Sequence, residues 1–98
     1  MTQQYRIGKV ATHIHRDGDK VTVYYHDTPV VSFDDNRIVL KNGGWYTATT
    51  RTRMNQVSNT YGLGYGVYQR NFKWYVDYAG KKCEFEEGMA LKRLKHLV

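Results

Sequence analysis

Residues 43–61, with the sequence GGWYTATTRTRMNQVSNTY, constrain the fold of this chain more than any other stretch, because they alone have helical spacing. Thr50, Met54, Val57 and Tyr61 recur at intervals of four, three and four residues, which places them on one stripe of a helix. Alternating patterns typical of β-strands precede and follow this stretch. The sequence therefore predicts a central helix between two groups of strands.

The predicted helix has weak intrinsic stability. Ser, Thr and Asn are mediocre helix formers, and neither Thr49 nor Thr50 is followed three residues later by the Glu or Gln of a capping box. Arg51, Asn55 and Ser58 fall away from the apolar stripe. We therefore expect packing against a sheet to provide most of the order of this helix.

The chain before the helix predicts a first hairpin. Asp17 and Gly18 are a strong hairpin signal between two alternating segments. If these two residues form the loop, Ile14 lies opposite Val21, and the core-facing sides of both strands agree. The second strand then covers residues 20–26.

The segments PVVSF and RIVLK predict a third and a fourth strand, joined by residues 34–36 with Asn36 in a left-handed conformation. This loop places Ser32 opposite Ile38. Both faces of the hairpin carry apolar side chains, which predicts either cover on both faces or a contact surface such as a homodimer edge.

After the helix, Gly62 stands where a helix C-terminal glycine belongs, and three more strands are predicted. Two-residue loops at residues 70–71 and 79–80 give these strands two distinct faces. Tyr68 and Tyr75 point to the outer face. The apolar face holds Tyr65, Val67, Trp74, Val76, Cys83 and Phe85.

These elements predict a single α+β domain over residues 1–98, in the order ββββ-α-βββ. The expected architecture is a strongly twisted antiparallel sheet or a partly open barrel, with the helix against one face or closing one end. Residues 1–8 are polar and predicted to be loosely held. Leu91, Leu94 and Val98 are spaced for a short basic amphipathic helix over residues 89–98, with a frayed basic tail as the alternative.

Composition favours a binding protein of the cytoplasm. A net charge of +6 and a pI near 9.5 favour polyanionic partners, although such a charge also serves solubility. Fourteen per cent of the residues are aromatic and nine are Tyr, a residue that binding surfaces use often. One cysteine excludes an internal disulfide and fits a reducing compartment. The sequence contains neither a signal-peptide core nor an apolar run of membrane-spanning length, so no membrane association is expected.

The start of the predicted helix is the strongest candidate for a binding site. It combines aromatic rings, hydroxyls and guanidinium groups with the free backbone N–H groups of a helix N-terminus, which suits phosphate and stacked bases. The outer face of the second group of strands extends this surface. The predicted ligand-binding residues are Trp45, Tyr46, Thr49, Thr50, Arg51, Arg53, Asn55, Tyr68, Lys73 and Tyr75.

The same residues also have a structural interpretation. Trp45 and Met54 would then belong to the core, Thr49 or Thr50 would only cap the helix, and the arginines would be solvated. Aromatic and arginine residues are also those that dominate binding hot spots, which keeps the functional interpretation equally open.

Other constellations favour structural roles. His13, His15 and His26 share a strand orientation but lack the closely spaced partners of a metal site, so no metal or other cofactor is expected. His26 and Asp27, beside Tyr24, would form an acid/base pair only if the turn folded the carboxylate back. The glycines of GLGYG leave a helix rather than open one, which argues against a phosphate-binding loop. Catalysis is therefore disfavoured.

Four segments carry a resemblance to a known family: YHDTPVV, GGWYTATTRTRMNQ, YGLGYGVYQRNFKWYV and FEEGM. They resemble a family of small uncharacterised proteins of tailed bacteriophages. The resemblance covers residues 21–89, and its most specific part is the Gly-Trp-Thr-Thr-Arg-Asn run. It implies a phage origin and gives no mechanism.

Two hypotheses follow for the function. The first is a non-enzymatic phage protein that binds nucleic acid or a nucleotide at the helix start, in the cytoplasm of the infected host cell. The second is an inhibitor directed at a host protein or an antiviral-defence enzyme, by analogy with other small phage proteins. The apolar third and fourth strands would supply its contact surface.

Overall fold

A computed structural model of the protein describes residues 11–93. The elements in that range are β1 (Thr12–Asp17), β2 (Lys20–Tyr25), β3 (Thr28–Phe33), β4 (Arg37–Leu40), α1 (Ala48–Tyr61), β5 (Gly66–Arg70), β6 (Lys73–Tyr78), β7 (Lys81–Glu84) and β8 (Met89–Lys92). The strands form two antiparallel sheets, one in the order β1-β2-β3-β4-β8 and one in the order β5-β6-β7. The predicted α+β class, with one helix after four strands, is confirmed. Within this range neither sheet closes into a barrel, and the strands divide between two sheets where the sequence predicted one.

The β1–β2 hairpin has a different register from the predicted one. Its loop is Gly18 and Asp19, and Ile14 lies opposite Val23. Gly18 adopts a φ of 59°, and a glycine at the first position of a two-residue hairpin loop is suited to such a conformation. Because the shift is two residues, the side chains keep their predicted faces. Ile14 is nevertheless 43% exposed, since β1 is an edge strand.

The β3–β4 hairpin is shifted by one residue, which exchanges the faces of its side chains. Phe33 lies opposite Ile38, so apolar side chains meet across the hairpin. The carboxylate of Asp34 accepts hydrogen bonds from the backbone of Asn36 and Arg37, at 2.8 and 3.0 Å, and these bonds hold its pKa below the ordinary value. They also close the loop without a left-handed Asn36, so that prediction is wrong.

The C-terminal part of the described chain is a strand. β8 pairs with β4, and Leu91 lies opposite Ile38 and is buried. The predicted helix or basic tail is therefore wrong over Met89–Lys92. Because β8 covers β4, the third and fourth strands lie inside the sheet and offer no free edge for a homodimer. Residues 1–8, Leu94 and Val98, about which the sequence made predictions, lie outside the described residues.

The helix begins two residues earlier than the sequence indicated. Its N-cap is Thr47, whose side-chain oxygen accepts a hydrogen bond from the backbone N–H of Thr50. It ends at Gly62, which has a φ of 64°, as predicted. Met54 and Val57 are fully buried, which confirms the apolar stripe.

Polar residues of the helix are buried as well. The hydroxyl of Ser58 donates to the carbonyl of Tyr65 at 2.7 Å and accepts from its backbone N–H at 3.0 Å. The prediction that Ser58 lies away from the packed face is therefore wrong. The Tyr65 hydroxyl donates to the carbonyl of Met54 at 2.6 Å, and burial raises the pKa of this hydroxyl well above its ordinary value of 10.0.

The second sheet keeps its predicted faces. The loop between β6 and β7 is Ala79 and Gly80, as expected, whereas the loop between β5 and β6 lies at Asn71 and Phe72 and shifts that register by two residues. Cys83 is exposed, because all four residues of the edge strand β7 are exposed, so the prediction that it is a core residue is wrong. The other predicted core residues are buried: Tyr65, Val67, Trp74, Val76 and Phe85.

The helix joins the two sheets into one body. It packs against β5 of the smaller sheet and against β2 and β3 of the larger one. Its buried side chains belong to the same hydrophobic cluster as the cores of both sheets. As a consequence, the N-terminus of the helix comes to lie beside the turn that joins β2 to β3.

Candidate ligand pocket at the helix N-terminus

The connection from β4 to the helix is held by hydrogen bonds. Trp45 donates its backbone N–H to the carbonyl of Asn42 at 2.9 Å, and the Asn42 side chain accepts from Gly44 at 2.9 Å. The carboxylate of Glu87 accepts from the backbone of Asn42 and Gly43, at 2.7 and 2.9 Å. These bonds fix the position from which the Trp45 side chain projects.

Gly43 has a role that no other residue can fill without strain. Its φ is 62°, and a Cβ atom at this position would lie 2.7 Å from the hydroxyl of Thr28. The backbone before the helix therefore approaches β3 at a distance that excludes a side chain. This contact brings the start of the helix against the end of the larger sheet.

A pocket of about 530 Å³ lies at this junction. Trp45 forms part of its wall and is 61% exposed. The rings of Tyr25 and His26, whose centroids are 4.4 Å apart, also line it. The residues of the helix-start pocket are Tyr25, His26, Trp45, Thr47, Thr49 and Thr50.

The helix contributes polar groups to this pocket. The first amide groups of a helix have no intrahelical acceptor, and they carry the positive end of the helix dipole. The first turn contains no acidic residue. The Thr50 hydroxyl is bonded to that of Thr47 at 2.9 Å, whereas Thr49 is exposed. The helix side of the pocket therefore offers threonine hydroxyls and no negative charge.

Two arginines place positive charge near the same region. The guanidinium of Arg53 donates to the hydroxyl of Thr12 at 3.0 Å and lies 5.3 Å from the ring centroid of Tyr25, a wall of the pocket. The guanidinium of Arg51 lies 5.7 Å from the ring of Trp74. Within residues 11–93, the contacts of both arginines are with hydroxyl, amide and aromatic groups, so no carboxylate neutralises them.

The comparison with known families identifies the group to which the chain belongs. The family model of the Kyanoviridae Gp96 protein matches residues 1–92. The chain belongs to this Gp96 family. The predicted origin in a family of small phage proteins is thereby confirmed. The chain matches no curated protein and no solved structure.

The other predicted site residues of this Gp96 family member lie outside the pocket. Tyr46 is 58% exposed, and its ring lies 5.1 Å from that of Trp74 in an edge-on contact. Asn55 is committed to the fold, because its side-chain amide donates to the carbonyl of Val67 at 2.9 Å and accepts from its N–H at 2.8 Å. The structure therefore does not bring Asn55 into the candidate site.

The predicted tyrosine surface forms a second, separate patch. Tyr68 and Tyr75 lie opposite each other on the outer face of the smaller sheet, with ring centroids 5.7 Å apart and planes inclined by 27°. The ammonium group of Lys82 lies 5.8 Å from the Tyr68 ring, a contact that the sequence did not predict. Lys73 is exposed at the start of β6.

The sequence did not predict Tyr25 and Thr47 as site residues, and its pattern placed His26 in a strand. His26 adopts a φ of 55° and forms the β2–β3 turn with Asp27, while its backbone N–H donates to Ala11 at 2.7 Å. The positive φ turns its side chain out of the strand pattern. A turn after the strand was visible in the sequence, but its contact with the helix start depends on tertiary packing.

The histidines that the sequence suggested for a metal site do not come together in the described residues. His13 stacks on Tyr24, with ring centroids 4.8 Å apart and planes inclined by 11°. Residues 11–93 contain no group of three or more His, Cys, Asp or Glu side chains that could hold a metal ion. In the same range, no helix is both long enough and apolar enough to span a membrane.

Proposed function

We propose that this phage protein is a non-enzymatic binding protein that holds a nucleotide unit, either free or within single-stranded nucleic acid, in the helix-start pocket. The proposal includes action in the cytoplasm of the infected host cell. The observation that carries it is the pocket itself, where an exposed Trp45 faces the β2–β3 turn beside an acid-free helix N-terminus.

The aromatic walls support recognition of a base. A tryptophan that is 61% exposed contributes little to the core, and its indole is available for stacking. Tyr25, at the end of β2, and His26, in the β2–β3 turn, supply two further rings that line the pocket. A volume of about 530 Å³ lies within the range of pockets that accept small ligands.

The charge distribution supports recognition of a phosphate. The pocket lies at the helix N-terminus, where the helix dipole places a partial positive charge, and Thr49 adds a hydroxyl. The Arg53 guanidinium lies against the Tyr25 wall. The chain as a whole carries a net charge of +6, which favours the approach of polyanions.

The second hypothesis, inhibition of a host or antiviral-defence enzyme, has less support. Its contact surface was expected on the third and fourth strands. Their apolar side chains are buried, including Val31, Phe33 and Ile38, and β8 covers the edge of β4. The enzyme interpretation also lacks support, because within residues 11–93 no hydrogen bond joins the side chains of His26 and Asp27.

The proposal is tested by titrating the full chain with single nucleotides and with short single-stranded oligonucleotides in a calorimeter, because this readout does not depend on the Trp45 indole. We expect saturable binding that weakens as the salt concentration rises. Trp45→Ala should weaken binding about tenfold, because loss of base stacking costs about 1–3 kcal/mol. Its melting temperature should be unchanged, since the side chain is mostly exposed.

Thr52→Ala provides the matched control, because Thr52 is exposed on the same helix and does not line the pocket. Affinity that is insensitive to salt, or equal in wild-type and Trp45→Ala protein, would contradict the proposal. Reversal of charge at Arg51 and Arg53 is a poorer test of binding than Trp45→Ala. Arg53→Glu removes the hydrogen bond to Thr12 and is therefore expected to lower stability as well as affinity.

A further inference from the structure

The loop between β5 and β6 has an unusual residue at its tip. Asn71 and Phe72 form this two-residue loop, with φ values of 52° and 67°. Positive φ at both positions is typical of tight hairpin loops, which favour Asn followed by Gly. A bulky aromatic residue is strained in this conformation. The sequence therefore places Phe72 where a glycine would serve the fold better.

The Phe72 side chain also makes almost no contact with the rest of the protein. It is 94% exposed, whereas Phe33 and Phe85 are each 6% exposed. Because the ring stays in water, it contributes no hydrophobic stabilisation to the fold. The strained backbone and the exposed ring together indicate that Phe72 serves a contact outside the chain.

The base of the Phe72 loop is positively charged. Arg70 and Lys73 pair with each other at the base of the loop, and both are exposed. Residues 68–76 contain no acidic side chain. Lys82 lies further along the sheet, opposite Asp77 and against Tyr68, and the exposed Glu84 lies opposite Tyr75. An exposed ring between basic side chains matches a polyanion that carries stacking groups.

The loop lies close to the helix-start pocket along the fold. Phe72 precedes Trp74 by two residues, which is roughly 7 Å along a strand. The ring of Trp74 is 5.1 Å from that of Tyr46, and Tyr46 follows Trp45 directly in the chain. The path from the pocket to the loop is therefore short enough for a few nucleotides to cover.

We propose that Phe72 is a stacking contact for single-stranded nucleic acid, one base of which occupies the helix-start pocket. This inference rests on the proposed function and narrows it from any nucleotide unit to a polymeric strand. The hairpin of β5 and β6 then contacts a second base with the Phe72 ring, while Arg70 and Lys73 contact the phosphates.

The strained conformation provides a test that separates binding from folding. Phe72→Gly removes the ring and also relieves the positive φ, so the variant is expected to be at least as stable as the wild type. Its affinity for oligonucleotides of about 8 to 12 residues should fall about tenfold or more. Its affinity for a single nucleotide should remain unchanged, because the helix-start pocket is intact.

Ala79→Gly is the matched control, because Ala79 holds a φ of 53° in the loop at the other end of β6 and carries no ring. This variant should gain stability in the same way and keep full affinity for oligonucleotides. If the wild type and Phe72→Gly bind oligonucleotides with equal affinity and still bind single nucleotides, the inference about Phe72 fails. The proposed function then stands.

The outcomes also separate this inference from the proposed function. If Phe72→Gly loses oligonucleotide affinity while Trp45→Ala does not, the stacking contact stands and the pocket assignment fails. If Phe72 instead governs binding to vesicles of anionic lipid, with no effect on oligonucleotides, the ring contacts a membrane surface and the inference is overturned.

Discussion

At the scale of single residues, polar side chains of the helix act as substitutes for backbone partners. Asn55 forms two hydrogen bonds with the backbone of Val67, and Ser58 forms two with the backbone of Tyr65. Each side chain both donates and accepts, as a neighbouring strand would. These four bonds fasten the helix to the chain that follows it, because buried backbone groups require partners.

Replacement of Asn55 by Ala should therefore destabilise the protein. Both the N–H and the carbonyl of Val67 lose their partner, which should lower the free energy of unfolding by about 2–4 kcal/mol. Urea denaturation measures this change. Thr52→Ala, on the exposed side of the same helix, should stay within about 0.5 kcal/mol of the wild type. Equal stability of the two variants would show that the Asn55 bonds contribute nothing.

Such residues are difficult to recognise from sequence. Helical periodicity separates apolar from polar positions, so Asn55 was predicted to bind a ligand and Ser58 to lie away from the packed face. The pattern did predict Trp45, Thr49 and the arginines near one another, since they are neighbours on one short segment. Tyr25 and His26 were missed because they reach the helix-start pocket from a distant turn.

At the scale of elements, alternation predicted which residues share a face, whereas the loops decided the register. The two hairpins that shifted by two residues kept their faces, with two-residue loops at residues 18–19 and 71–72. The hairpin of β3 and β4 shifted by one residue, because the Asp34 carboxylate tightens its loop. Alternation contains no information on such side-chain bonds, so this register was not predictable.

The helix N-cap offers a prediction at this scale. Thr47→Ala removes the acceptor of the Thr50 N–H and should lower the free energy of unfolding by about 1 kcal/mol. Thr47→Ser keeps the hydroxyl and should retain most of that stability. Thermal unfolding distinguishes the two variants, and an equal loss in both would indicate that the threonine methyl group, not the hydrogen bond, stabilises the helix start.

At the scale of the whole molecule, the helix is the common support of two sheets. It contacts β5 on one side and β2 with β3 on the other. The sequence predicted the helix and most of the strands, but it predicted a short helix or a basic tail over residues 89–98, where β8 instead completes the first sheet. Local patterns cannot report a pairing between strands that are about fifty residues apart.

The role of β8 is tested through Leu91. Leu91→Ala removes a buried side chain opposite Ile38 and should lower the free energy of unfolding by about 2–3 kcal/mol. Lys92→Ala, on the exposed side of the same strand, should have an effect within about 0.5 kcal/mol. Denaturant titration of both variants measures the difference. Equal and small effects would mean that β8 adds little to the larger sheet.

The carboxylate of Glu87 receives two backbone hydrogen bonds from the segment that leads into the helix, across 45 and 44 positions of sequence. During translation, that acceptor emerges from the ribosome long after Trp45 has been made. A nascent chain therefore cannot form these two bonds before Glu87 has been made. Products that end before Glu87 should retain the binding residues and yet bind a nucleotide less tightly than chains that contain it.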